Sequence, residues 1–390
     1  MAIHYEPDYG PSYYHLAKLE AVVRGDLVRA KSLVRQGLAK LKPVESEVKF
    51  LSCVLLGGLL SGEKDYAGAM EQFEEARKIG GDRVYEHVNL GRLYELMGER
   101  EKALAEWDGV RKRFGLASPT GLEAYFALRK LRSKIALDYN NFLPTGTDAD
   151  YQVLLSRLAR RKATDAVRMP VAVVRLLNEL KIPVRMIETD LDGDGKVEIV
   201  VVEARQVWDP DVRGYYLASP VLYIFTPKGG TLGFQNLSFD HFLDAALVDF
   251  NTDGQKEIVF TAFTNPNVLN VVVMTRKDRR YLSTFAQPVE CVTGACGVLV
   301  DDLDGDGTVE VLTVSGVDLW VTVWRWNEGG TFSDASAGFG EFYRDYVKRY
   351  EKLTPEELRQ WPIVGVHLRE ARRILSRTPV TGSIREGTGE

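Results

Sequence analysis

Two hydrophobic rhythms divide the chain. From about residue 12 to residue 140, apolar side chains recur three and four positions apart, with small residues at fixed points, as amphipathic helices require. From about 183 to 335 they come instead as short β-branched runs, Ile199-Val200-Val201-Val202, Ile258-Val259-Phe260 and Val311-Leu312-Thr313-Val314, which suit buried strands. Helical spacing returns after Gly338 in Phe342, Tyr343, Tyr346, Val347 and Tyr350, an aromatic stripe expected to pack as core. Thr354-Pro355-Glu356-Glu357 has the form of a capping box with proline in the first turn. The pattern predicts an α+β multidomain chain. It comprises a helical array over 1–140, a helical connector over 141–182, β repeats over 183–335, C-terminal helices over 336–377 and a disordered tail over 378–390.

Within the helical third, aligning Ala30, Ala69 and Ala103 brings their neighbours into register. Four residues on stand Val34, Phe73 and Trp107, and seven on stand Gly37, Ala76 and Val110. Leu56-Gly57 and Leu90-Gly91 lie upstream of the second and third copies, and Gly25-Asp26, Gly62-Glu63 and Gly98-Glu99 punctuate the turns. The step from Ala69 to Ala103 is 34 residues, and the first step, 39, leaves room for a linker around Pro43. Small residues let antiparallel helices approach, while the large partner fills the groove between neighbouring hairpins. The register resembles the tetratricopeptide repeat, which implies an α–α superhelix offering a concave groove to a protein partner. Residues 121–140 read as one more helix, in which Leu122, Tyr125, Phe126, Leu128 and Leu131 cap the stack, before a loop at Asn140–Gly146. In the connector, Arg157, Arg160, Arg161 and Lys162 read as a solvated helix face.

The β region writes one acidic loop three times: Asp190–Glu198, Asp249–Glu257 and Asp302–Glu310. Oxygen side chains occupy positions 1, 3, 5 and 9: Asp190, Asp192, Asp194 and Glu198; Asp249, Asn251, Asp253 and Glu257; Asp302, Asp304, Asp306 and Glu310. Glycine holds position 6, and Lys196, Gln255 and Thr308 at position 7 contribute a backbone carbonyl. Hard oxygens alternating along a tight turn are what calcium takes as ligands. A helix-loop-helix calcium site closes with an acid at position 12. Here that place holds Val201, Phe260 and Thr313, so that type is excluded. The loops instead lead into strands.

Loop, following strand and repeat length together resemble the FG-GAP or VCBS repeats of integrin α-like β-propellers. The loops begin at 190, 249 and 302, and hairpin patterns such as Val221–Phe225 with Lys228-Gly229-Gly230, and Val321–Trp326 with Asn327–Gly330, recur after them. The resemblance implies up to three structural calcium ions held by the residues just named. It also implies a propeller-like region of about three antiparallel sheets. Closed propellers need about four blades or more, so the expectation is an incomplete propeller flanked by helices.

Composition narrows the remainder. With 50 basic and 55 acidic residues the net charge is −5, which gives no nucleic-acid footprint. No apolar stretch reaches membrane-spanning length, and the run from Cys53 to Leu60 contains two glycines. The start has neither basic nor apolar leader character, so a cytoplasmic chain is the expectation as written. Calcium-loaded repeats of this type also work outside the cytosol, and that compartment stays open. Of the three cysteines, Cys291 and Cys296 flank a turn and have two readings, paired or free; free thiols are the expectation.

No phosphate-binding glycine loop, nucleophile elbow or paired-histidine zinc motif is present, so no catalytic residue is assigned. The reading is a non-enzymatic protein-binding scaffold, or an accessory or assembly subunit, braced by structural calcium. The first alternative is a secreted or surface adhesion module that binds protein or carbohydrate through calcium. A further alternative is an enzyme with a site between the domains, involving His241 or Asp209-Pro210-Asp211.

Overall fold

The computed structural model describes residues 6–80, 84–133, 135, 137–142, 184–209, 214–225, 231–236, 241–265, 267–277, 280–291, 295–316, 318–328 and 330–377. The connector over 143–183, with its basic cluster, and the tail over 378–390 lie outside them. The described residues fall into two compact units, one ending at Leu131 and the other beginning at Arg132.

The first unit is helical: α1 Gly10–Leu19, α2 Leu27–Lys40, α3 Ser46–Gly62, α4 Tyr66–Gly80, α5 Val84–Met97, α6 Arg100–Phe114 and α7 Pro119–Arg132. A single π-type turn, Glu20–Arg24, extends α1 until Gly25 turns the chain in the left-handed region (φ +70°). Asp26 then caps α2 by accepting the Arg29 N–H at 2.9 Å. The small-residue register holds, since Ala30, Ala69 and Ala103 are fully buried with Val34, Phe73 and Trp107. Two glycines of that register show why they are needed. A Cβ on Gly57 would lie 2.5 Å from the Phe73 ring, and one on Gly91 would lie 2.8 Å from the Trp107 ring. Helix α3 is buried on nearly all sides, which accounts for its continuous apolar run. None of the described helices is long and apolar enough to cross a membrane.

The structure departs from the sequence expectation at the end of this array. The last helix stops at Arg132, and Leu137–Phe142 form strand β1, where a helix and then a loop were expected. β1 pairs antiparallel with β10, Leu137 opposite Val300 and Phe142 opposite Ala295. The ladder with a strand more than 150 residues away outweighs the weak local preference of Asp-Tyr-Asn-Asn.

The second unit holds three antiparallel sheets. One is β2 Val184–Thr189, β3 Glu198–Asp209, β4 Gly214–Phe225 and β5 Thr231–Asn236; the next is β6 His241–Val248, β7 Glu257–Asn265, β8 Val268–Lys277 and β9 Arg280–Glu290. The third runs β1, β10 Ala295–Asp301, β11 Glu310–Ser315, β12 Trp320–Trp326 and β13 Phe332–Asp334. The middle sheet is covered on both faces. Ile258, Phe260, Ala262 and Met274 pack with Leu191 of the first acidic loop and with Val200 and Ile224 of the first sheet. Val259, Leu269, Val271 and Val273 pack with Val298, Val300 and Val311 of the third. Strand alternation sends neighbouring residues to opposite cores, so β8 runs apolar without a break from Val271 to Met274.

Three C-terminal helices follow: α8 Gly340–Tyr350, α9 Pro355–Gln360 and α10 Pro362–Arg377. The predicted capping box is formed, with the Glu357 N–H donating to Thr354 Oγ1 at 3.3 Å and the Thr354 N–H to Glu357 Oε2 at 2.7 Å. Phe342, Tyr343 and Tyr346 of the aromatic stripe are buried, and the Tyr343 hydroxyl donates to the Val321 carbonyl. Contrary to the expectation of free thiols, Cys291 and Cys296 form a disulfide between the end of β9 and the start of β10. The strand ends bring their Cα atoms to 4.9 Å, within bonding range, which residue spacing alone does not specify.

Candidate metal centres

Each acidic loop joins two neighbouring strands of one sheet: β2 to β3, β6 to β7 and β10 to β11. The same construction recurs in all three. The position-1 aspartate takes two backbone N–H groups, Gly193 (2.8 Å) and Gly195 (2.9 Å) on Asp190, and Gly305 (2.7 Å) and Gly307 (3.0 Å) on Asp302. In the middle loop Asp249 takes those of Asp253 and Gly254. The position-5 aspartate accepts the N–H of position 7, at 2.9 Å from Lys196, 2.8 Å from Gln255 and 2.7 Å from Thr308. Positions 4 and 6 sit in the left-handed region. Glycine supplies both in the first and third loops, while the middle loop places Thr252 there at φ 56°.

The folded loops bring together Asp190, Asp192 and Asp194, and likewise Asp302, Asp304 and Asp306, with one oxygen of each within 4.8 Å of the others. The middle loop offers Asp249, Asn251 and Asp253, where the Asn251 amide donates to Asp253 Oδ2 at 2.9 Å. Glutamate at position 9 plays a different part. Glu198, Glu257 and Glu310 are buried, and one oxygen of each accepts the N–H of position 2, from Leu191 (2.9 Å), Phe250 (3.1 Å) and Leu303 (2.9 Å). The glutamate thereby ties the two ends of its loop together. Burial pushes the Glu257 carboxyl up to about 7, opposed by the Phe250 N–H and reinforced by Asp253 and Asp249.

Several functional contacts were not foreseen from the sequence. Position 2 is apolar in every loop, and Leu191, Phe250 and Leu303 are each plugged into the core beneath; a simple alignment of the three copies displays this signal. Loops one and two also lean on each other. The Lys256 N–H donates to the Leu191 carbonyl at 3.0 Å, and its ammonium to Thr189 Oγ1 at 2.6 Å. Arg276 on β8 reaches Asp192 Oδ2 at 2.5 Å, and Arg325 on β12 reaches into the third loop. Of the enzyme alternative, Asp209 ends β3 and His241 begins β6, while Pro210, Asp211 and the His241 side chain lie outside the described residues.

The donor set suits a hard cation. It consists of carboxylate and amide oxygens on a preformed turn, with no soft ligand among the residues named. Comparison with known proteins adds little. No family model matches the chain, and no curated protein matches it. A solved rhamnogalacturonan lyase aligns at 16% identity with a TM-score of 0.26, over 39% of this chain and 38% of that one. A likeness at that level carries no argument about fold or function.

Proposed function

We propose that this protein is a non-enzymatic scaffold, an accessory or assembly subunit, in which tetratricopeptide-like hairpins hold a protein partner and calcium braces a propeller-like β region. One observation supports the metal reading above the rest: three loops of one construction, each between two neighbouring strands of a sheet, gather oxygen side chains at positions 1, 3 and 5. Like charges held this closely repel one another. A divalent ion replaces that repulsion with attraction and stabilises the folded state by mass action. The ligands are the carboxylates and amide at positions 1, 3 and 5, with the position-7 carbonyls and position-9 glutamates completing the set. The stacked hairpins with buried small residues support the groove reading, since that packing leaves one helix of each pair free to line a concave face.

The test is a melting experiment with and without calcium. Calcium raises the melting temperature of the β unit, and Asp192→Ala or Asn251→Ala shrinks the rise. An unchanged melt across a calcium titration would remove the structural-metal reading. Affinity purification from the native cell, followed by mass spectrometry, then identifies the partner.

A second reading has its own support. The Cys291–Cys296 disulfide is chemistry of an oxidising compartment, which favours an extracytoplasmic adhesion module over a cytosolic scaffold. Fractionation of the native cell separates the two.

A further inference from the structure

The three loops differ in what neutralises them. Arg325 stands directly opposite Glu310 in the β11–β12 ladder, so both side chains leave the sheet on one face beside the third loop. Its Nε donates to Glu310 Oε1 at 2.6 Å, its Nη2 reaches Asp304 Oδ2 at 2.6 Å, and its Nη1 lies 3.2 Å from Asp306 Oδ2. One guanidinium therefore joins the acids of positions 3, 5 and 9. Glu310 is fully buried and both its oxygens are taken, one by Leu303 and the other by Arg325. The guanidinium also lies over the ring of buried Phe339, 5.9 Å from its centre, at the head of α8.

The other loops have no such arrangement among the described residues. In the first, Arg276 bonds Asp192, while the exposed Lys196 bonds Asp194 from within the loop. In the second, the β7–β8 ladder begins at Ile258 opposite Met274, and the next residue along β8 is Thr275, where the third sheet has arginine.

We propose that the Arg325 guanidinium is the resident cation of the third loop, so that a divalent ion binds the first two loops and is held off the third. The inference rests on the metal reading above. A planar guanidinium matches several carboxylate oxygens at once and is permanently charged. A calcium ion entering this loop must displace it from Asp304, Asp306 and a buried glutamate, whereas at the first loop it meets cations that each hold a single acid.

Native mass spectrometry of the full chain in calcium tests this against Arg325→Gln. The variant takes up one ion more than the wild type, and Asp304→Asn added to it removes that ion again. In EDTA, Arg325→Gln melts below the wild type and calcium recovers the loss, showing that the variant is folded. An ion on the third loop of the wild type, seen as a full three bound per chain, overturns the proposal and leaves the metal reading standing. No gain on Arg325→Gln overturns it as well. No ion on either protein overturns both.

Discussion

His367 Nδ1 lies 2.7 Å from Asp318 Oδ2, tying the last helix to the turn that leads into β12. Asp318 is 2% exposed, and the same oxygen accepts the Tyr346 hydroxyl at 2.5 Å. Trp320 stacks on the imidazole, ring centres 4.4 Å apart and 15° from parallel. A buried carboxylate served by two donors loses much when either goes. His367→Ala is expected to destabilise the second unit by about 2 kcal/mol, and Tyr346→Phe by about the same. The double variant should lose more than the sum, because each donor partly replaces the other on one oxygen and removing both leaves the buried carboxylate without either. Urea unfolding followed by tryptophan fluorescence checks this; a neutral result for both variants would show that the contact contributes nothing.

Thr252 offers an opposite sign. It sits at φ 56°, where its counterparts Gly193 and Gly305 sit at 74° and 78°. A β-branched side chain is strained there, so Thr252→Gly should stabilise the middle loop by about 1 kcal/mol. The gain should appear in EDTA, which separates backbone relief from any change in ion binding.

Glu257 makes the metal-free protein sensitive to pH. Burial lifts its carboxyl from 4.5 to about 7. Between those values the folded chain holds a proton that the unfolded chain releases, so stability is highest at the acid end and is lost as pH rises through about 7. In EDTA the midpoint of unfolding is therefore lower at pH 8 than at pH 6. Glu257→Gln, which still accepts the Phe250 N–H, should weaken the dependence, and Glu310, whose carboxyl burial also pushes up to about 7, carries the rest.

Thiol counting checks the core and the β9–β10 disulfide together. Burial pushes the Cys53 thiol up to about 11, from 9.0, and the remaining pair is bonded. At pH 8 this lowers the thiolate fraction about a hundredfold, and burial blocks access besides. The native protein should give no rapid reaction with a thiol reagent, the denatured protein one equivalent, and the denatured, reduced protein three.

What was readable in advance followed from short-range rules. The Ala30, Ala69 and Ala103 register held because helix contacts repeat every three to four residues and small residues mark close crossings. The acidic loops were legible because each turn carries its polar side chains and glycines within nine residues. β1 was not, because a six-residue segment with three polar residues, Asp138, Asn140 and Asn141, becomes a strand only when β10 is beside it.

By itself, therefore, the sequence determined the helical repeat, the strand-leading loops and the oxygen atoms they gather, all set by local periodicity and turn chemistry. Tertiary structure decided how each loop is charged and locked. Arg276 comes to Asp192 from 84 residues away, His367 to Asp318 from 49 residues away, and Arg325 to Glu310 through the strand register. Such contacts depend on which strands pair, in what register, and on which helix packs against them, and none of these is written in the spacing of any one segment.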